Sequence, residues 1–244
     1  MIGSKDENDD TFPERIVGIE PFYMGQFPVT NGLFAIFVEK TGYITTAERY
    51  RYGIVFEGRL QQIIDPETSK KTIISRSGVT MREVKGACWY RPRGPGSDLH
   101  GKRNHPVVQV SLEDAMAFAA WIGKRLPTEA EWEAAARSRR GFIYPWGNEW
   151  KENCCNVETS YIGDTSPVDK FKGFTNELGI ADTLGNVMEW TTTQVDERAG
   201  PGNKARYIVK GGGWLAKKGT PLWHRDLFER NYCSNVLGFR CVAY

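Results

Sequence analysis

The chain has 244 residues, 40% hydrophobic and 25% charged, and no run approaches the roughly 20 apolar residues of a bilayer span, which excludes a membrane-spanning or disordered chain. With 32 basic and 30 acidic residues the net charge is +2, so neither a nucleic acid nor a membrane surface is expected as a partner. The five cysteines, Cys88, Cys154, Cys155, Cys233 and Cys241, form no CxxC pair and no dense disulfide framework. A reducing compartment, the cytoplasm, is therefore expected, and the polar stretch from Met1 to Asp10 lacks a secretory-signal pattern.

In chain order, a strand-like run from Ile16 to Tyr23 precedes a helix that opens at Thr30. This helix places Leu33, Phe34, Phe37 and Val38 on one face and stops at Gly42. Val107 to Val110 is a strand candidate. A second helix starts at Ser111 with Asp114 at the third position and carries Ala115, Phe118, Ala119 and Ile122 at helical spacing before Gly123. Pro127 and Thr128 introduce a third, in which Glu131 completes a Thr-x-x-Glu box ahead of an alanine-rich run. Tyr207 to Lys210 and Gly238 to Ala243 are further strand candidates. The remainder, rich in Gly, Pro, Asn, Asp and Trp, is expected as long ordered loops stapled by aromatic plugs or metal ions. With no repeat and no linker, residues 1–244 form one domain.

Seven segments then become recognisable in order: FYMGQFPVTNGLFAIFVEKTGYITTAE (22–48), GPGSD (94–98), HPVVQVSLEDAMAFAAWIGKRLPTEAEWEAAAR (105–137), YPWGN (144–148), LGNVMEW (184–190), GGGW (211–214) and GFRC (238–241). Together they resemble the formylglycine-generating enzyme, or sulfatase-modifying factor, family over nearly the whole chain. The resemblance implies an α+β fold, a calcium-stabilised variant of the C-type lectin fold in a single domain with little regular secondary structure. RLPTEAEWE reads as scaffold with Trp132 in the core, and Arg240 as a buried ion-pair partner.

The family's enzymes oxidise a substrate cysteine with copper held by two cysteines, the first three residues beyond the serine of a GGS motif and the second five further on. Soft thiolates suit Cu(I). At the corresponding positions this chain has Gly213, Ala216 and Pro221, and Met188 replaces the tryptophan of GNVWEW. No copper is expected. Cys233 and Cys241 are the only downstream thiols. The iron-dependent sulfoxide synthases, which share the fold, need three histidines supplied by a helical domain; here His100, His105 and His224 are the only histidines, and 244 residues are not expected to have room for that domain. Neither a GxSxG elbow nor a GxxxxGK loop occurs.

Calcium prefers six to eight oxygens, carbonyls mixed with carboxylates. The resemblance places one structural calcium site on Asp182, Gly185, Val187 and Glu189. It places a second on Asn156, Val157, Ser160 and Ile162, where a serine stands in for the usual carboxylate.

From the tryptophan of GGGW to GFRC run Trp214, Trp223, His224, Arg225, Asp226, Phe228, Arg230, Asn231, Tyr232 and Asn235, a stretch rich in the Trp, Tyr and Arg that dominate binding hot spots. The arrangement is similar to variable proteins of diversity-generating retroelements, which bind targets through this stretch. The expected function is a non-catalytic, calcium-stabilised domain that binds a protein or peptide through residues 214–235. The competing expectations are an oxidoreductase with an altered site acting on a peptide or peptide-derived substrate, and a regulatory pseudoenzyme paired with an active paralogue. The oligomeric state is left open.

Overall fold

Each α-helix described starts where a side chain satisfies the first free backbone N–H groups. The computed structural model describes residues 2–4, 13–65, 67–195 and 205–244, so most of the N-terminal stretch assessed for a signal lies outside the described residues. After β1 (Tyr23–Met24), the Thr30 hydroxyl accepts from the Leu33 N–H to open α1 (Asn31–Thr41), and Gly42 ends it in the left-handed conformation. Thr45 and Glu48 form a reciprocal capping box for α2 (Thr46–Tyr50). Four strands follow: β2 (Tyr52–Glu57), β3 (Leu60–Ile64), β4 (Lys71–Ser75) and β5 (Thr80–Lys85). Ser111 with Asp114, and Thr128 with Glu131, box the starts of α3 (Leu112–Trp121) and α4 (Glu129–Arg137). The chain closes with β6 (Met188–Val195), β7 (Arg206–Lys210), β8 (Arg225–Glu229), β9 (Leu237–Gly238) and β10 (Val242–Ala243).

The largest sheet has the order β8-β7-β6-β9, with β9 parallel to β6 and β8 at one edge. β2 pairs with β5 and β3 with β4 as antiparallel ladders, and β1 pairs with β10 near the two chain ends. The main core joins α1 to α3 through aromatic rings. Phe34 and Phe118 have centroids 5.8 Å apart, and Phe118 meets Phe239 edge-on at 5.5 Å. Such pairs contribute about 0.5–1.5 kcal/mol each beyond their burial. A second cluster packs Trp132 and Ala136 of α4 against Tyr144, Val157, Leu184, Ala216 and Leu222. Trp132 is fully buried, and Tyr144, Trp146 and Trp150 pack together in the loop that follows α4, the aromatic stapling expected of long loops.

The structure departs from the sequence expectations in four places. Of Ile16 to Tyr23 only Tyr23 is in a strand, and Ile16 is 87% exposed. Val107 to Val110 is buried without being a strand. Its N–H groups go to two separate segments, Val107 to Val29 and Gln109 to Ser234, and Gln109 at φ 60° breaks the extended run. Gly238 to Ala243 divides into β9 and β10. Residues 46–85, expected as loop, hold α2 and two ladders. β4 and β5 are exposed on both faces, so no period-two alternation marks them.

Candidate functional site

The positions matched to the copper ligands are built from scaffold. Gly213 has φ 65°, and a side chain there would press on the Met188 backbone nitrogen at 3.3 Å. Ala216 is buried in the Trp132 cluster, and its carbonyl accepts from the Glu158 N–H. The five thiols are buried and unpaired. Cys233 packs with Ala47 and Cys88, whereas Cys241 belongs to the main core, so the two do not form a pair that could replace the missing ligands. Burial pushes Cys233 well above the usual thiol range and Cys241 up to about 12, the state of inert core thiols. His105 sits 3.0 Å from the Thr165 hydroxyl, His224 faces Asp226 at 3.3 Å, and His100 is exposed. Among the described residues no three His, Cys, Asp or Glu side chains converge as a metal site.

A calcium site here would have to lean on carbonyls, as the first predicted set does with Gly185 and Val187 beside Asp182 and Glu189. Asp182, Gly185 and Asn186 all have positive φ, which curls the backbone of this loop. The carbonyls of Thr183 and Val187 converge over Gly211, 3.5 and 3.2 Å from where a side chain would start. Burial pushes the Asp182 carboxyl up to about 8, against the lowering influence of the Asn186 hydrogen bond and Arg240. This is a desolvated acid without enough positive charge beside it. Asp182 and Thr183 line a small cavity of about 10 Å³, and the buried Thr183 hydroxyl has no hydrogen-bond partner. Glu189 is fully buried: its Oε2 accepts from Trp132 and Arg240, each at 2.6 Å, and its Oε1 from Arg240 at 2.7 Å. Oε1 thus keeps a lone pair. Arg240 is the buried ion-pair partner its motif implied.

The second predicted set brings no carboxylate of its own. Asn156 Oδ1 accepts from the Ser160 hydroxyl at 3.0 Å, and the Val157 carbonyl accepts from the Ser160 N–H at 2.9 Å. Ile162 brings no charge, and the neighbouring carboxylate, Asp164, is taken by Lys102 at 2.8 Å and Arg93 at 3.7 Å.

The residues predicted to bind a ligand separate into three groups. Trp214 and Asn235, each 1% exposed, are core and cannot touch a ligand, which corrects their place in the set. The Trp214 indole donates to the Asn235 carbonyl, and the Asn235 amide closes on the N–H and C=O of Phe56 in β2. Trp223, His224, Arg225, Asp226 and Arg230 are spread along the sheet edge. Trp223 is covered by Arg137 at 5.1 Å, Arg225 faces Glu129 at 3.7 Å, and Arg230 pairs with Glu113 at 3.0 Å.

The third group converges. Phe228, Asn231 and Tyr232 line a hollow of about 370 Å³ between β8 and the β2–β5 ladder. Phe228 and Tyr232 stack at 4.3 Å and 9°. The facing wall holds Tyr50, Tyr52 and Glu83, with Arg206, Leu227 and Glu229 from the sheet, none of them singled out from the sequence. The two tyrosines flanking Arg51 were the available signal. A larger groove of about 620 Å³ between α1 and α3, with Leu33, Ile36 and Trp121 in its walls, is mostly apolar and includes none of the predicted binding residues.

Against known proteins, the sulfatase-modifying factor enzyme 1-like domain matches residues 1–244. The chain is 38% identical to the formylglycine-generating enzyme of Thermomonospora curvata, covering 97% of this chain and 88% of that one. It is 36% identical to the inactive C-alpha-formylglycine-generating enzyme 2 of Bos taurus, covering 98% and 83%. In three dimensions it is similar to variable protein 1 of Treponema denticola, with a TM-score of 0.50 at 18% identity over 77% of this chain and 91% of that one, a likeness of fold alone. The helix caps, the buried Glu189–Arg240 pair and the full-length match agree: this chain belongs to the sulfatase-modifying factor, or formylglycine-generating enzyme, family.

Proposed function

We propose that this chain is a non-catalytic, calcium-stabilised binding domain of the cytoplasm that captures a protein or peptide. One observation carries the reading: Phe228, Asn231 and Tyr232 converge on a hollow beside the edge strand β8, while the positions matched to copper ligands are Ala216 and Pro221. A half-buried aromatic pair beside an open strand edge suits an extended chain, whose backbone pairs with the edge and whose side chains enter the hollow. The inactivity named for the bovine relative is in keeping with this reading, and five unpaired thiols support a reducing compartment.

Calcium, when bound, supplies fixed positive charge. Asp182 and Glu189 would hold it by carboxylate oxygens, and Gly185 and Val187 by carbonyls. The role is structural, joining the loop before β6 to the β6–β7 core.

Two measurements test the reading. Metal analysis after exchange into metal-free buffer, then after Cu(I) under reducing conditions, is expected to give about one calcium and no stoichiometric copper. Stoichiometric copper lost on substituting Cys233 or Cys241 would favour an enzyme instead, with oxygen consumption on cysteine peptides as the deciding assay. Peptides panned from a displayed library are expected to lose affinity for the Tyr232→Ala variant. Peptides indifferent to substitution of Phe228, Asn231 and Tyr232 would place the binding surface elsewhere.

A further inference from the structure

We infer that the hollow between β8 and the β2–β5 ladder takes an organic cation, presented as the lysine or arginine side chain of a bound peptide. The inference rests on the binding reading above and specifies its ligand chemistry. Two aromatic pairs form the hollow. Phe228 and Tyr232 stack on the β8 side, and Tyr50 and Tyr52 stack at 6.2 Å and 21° on the other. The walls are tied together where Asn231 reaches the Tyr50 hydroxyl at 3.5 Å and the Tyr232 hydroxyl reaches Met81 at 3.8 Å. An aromatic face carries negative quadrupole, so several faces around one space favour a cation over a neutral group of the same shape.

The charges agree with the rings. Glu83, on β5 opposite Ile54, lines the hollow and has no ion-pair partner among the described residues. Arg206 and Glu229, opposite in sign, face each other in the β7–β8 register. The net charge of the lining carboxylates and guanidinium is −1, from Glu83, Glu229 and Arg206. A long, flexible stem with a terminal cation can lie along the rings and bring its charge to Glu83.

The test uses the full chain and blocked pentapeptides that differ only at the central residue, which is Lys, Arg, norleucine or Glu, with n-butylammonium as the free cation. Calorimetry and the tyrosine resonances follow binding. The lysine and arginine peptides are expected to bind about tenfold or more tightly than the norleucine and glutamate peptides. Glu83→Gln and Tyr52→Ala are each expected to weaken the lysine peptide, with unchanged melting curves showing that the fold is intact. Butylammonium binding far more weakly than the peptide supports a peptide-borne cation; equal binding overturns that part and makes a free amine the ligand. Norleucine binding as well as lysine overturns the cation and leaves an apolar hollow, and preference for glutamate assigns the hollow to Arg206. If no probe binds while the panned peptides remain Tyr232-dependent, the ligand class is wrong and the site stands. If the panned peptides also ignore Tyr232, both readings fall.

Discussion

Arg240 and Glu189 lock together by two nearly parallel hydrogen bonds, 2.6 Å from Nε to Oε2 and 2.7 Å from Nη2 to Oε1, with both side chains at zero exposure. The remaining guanidinium hydrogens reach the carbonyls of Gly25, Gln26, Ala181 and Asp182, so one side chain joins β6 to the loop after β1 and the loop before β6. Arg240→Met would strip the buried Glu189 carboxylate of its guanidinium partner and leave the Trp132 indole as its side-chain donor. It is expected to destabilise the fold by about 3–5 kcal/mol, measured by urea unfolding. A loss under about 1 kcal/mol would show that the pair contributes little.

Trp214 and Tyr232 both come from the same predicted binding stretch, but they occupy opposite environments. Trp214→Ala opens a cavity in the main core and is expected to cost about 3–5 kcal/mol. Tyr232→Ala removes a half-buried ring and is expected to cost about 1 kcal/mol while abolishing peptide affinity. Thermal melts and calorimetry on the two variants separate the roles.

Acid should act through Asp164. Burial favours its neutral form, but Arg93 and Lys102 outweigh burial and hold the carboxyl below its ordinary 3.8. A group depressed in the folded state stabilises above its unfolded pKa, and that contribution is lost as pH falls below 3.8 through the folded value. Asp164→Asn is expected to flatten this part of the acid limb. The cost at neutral pH is about 1 kcal/mol or less, because the partners are partly exposed. A pH series of urea midpoints, wild type against variant, checks it.

Chelation tests the calcium site. A cation that binds only the folded state stabilises by about 2.7 kcal/mol at a hundredfold excess over its dissociation constant. Removing calcium with EGTA is expected to lower the melting temperature of the wild type, and Asp182→Asn is expected to remove most of that response. Ser160→Ala should leave it intact, since Ser160 belongs to the set without a carboxylate and its hydroxyl already donates to Asn156.

The three long helices, their caps and the buried roles of Trp132 and Arg240 were legible because each is announced within a few residues. A capping box closes between Ser111 and Asp114 or Thr128 and Glu131, and no distant partner is needed to see it. The ladders of residues 52–85 were not legible, since β4 and β5 have little buried face to impose alternation. Within the predicted binding stretch, residue type alone could not separate Trp214 from Tyr232, since both suit a core and a hot spot equally.

By itself the sequence determined the family, the starts of the three long helices and the replacement of two copper-ligating cysteines by Ala216 and Pro221. Tertiary structure alone decided which aromatic residues reach the surface and what they face. The hollow exists because Ile54 and Cys233 pair through their backbones and Asn235 closes on Phe56, contacts between residues about 180 positions apart. No local pattern encodes such a closure; it follows from packing the whole chain, which sets the tyrosines of one segment opposite the stacked rings of another.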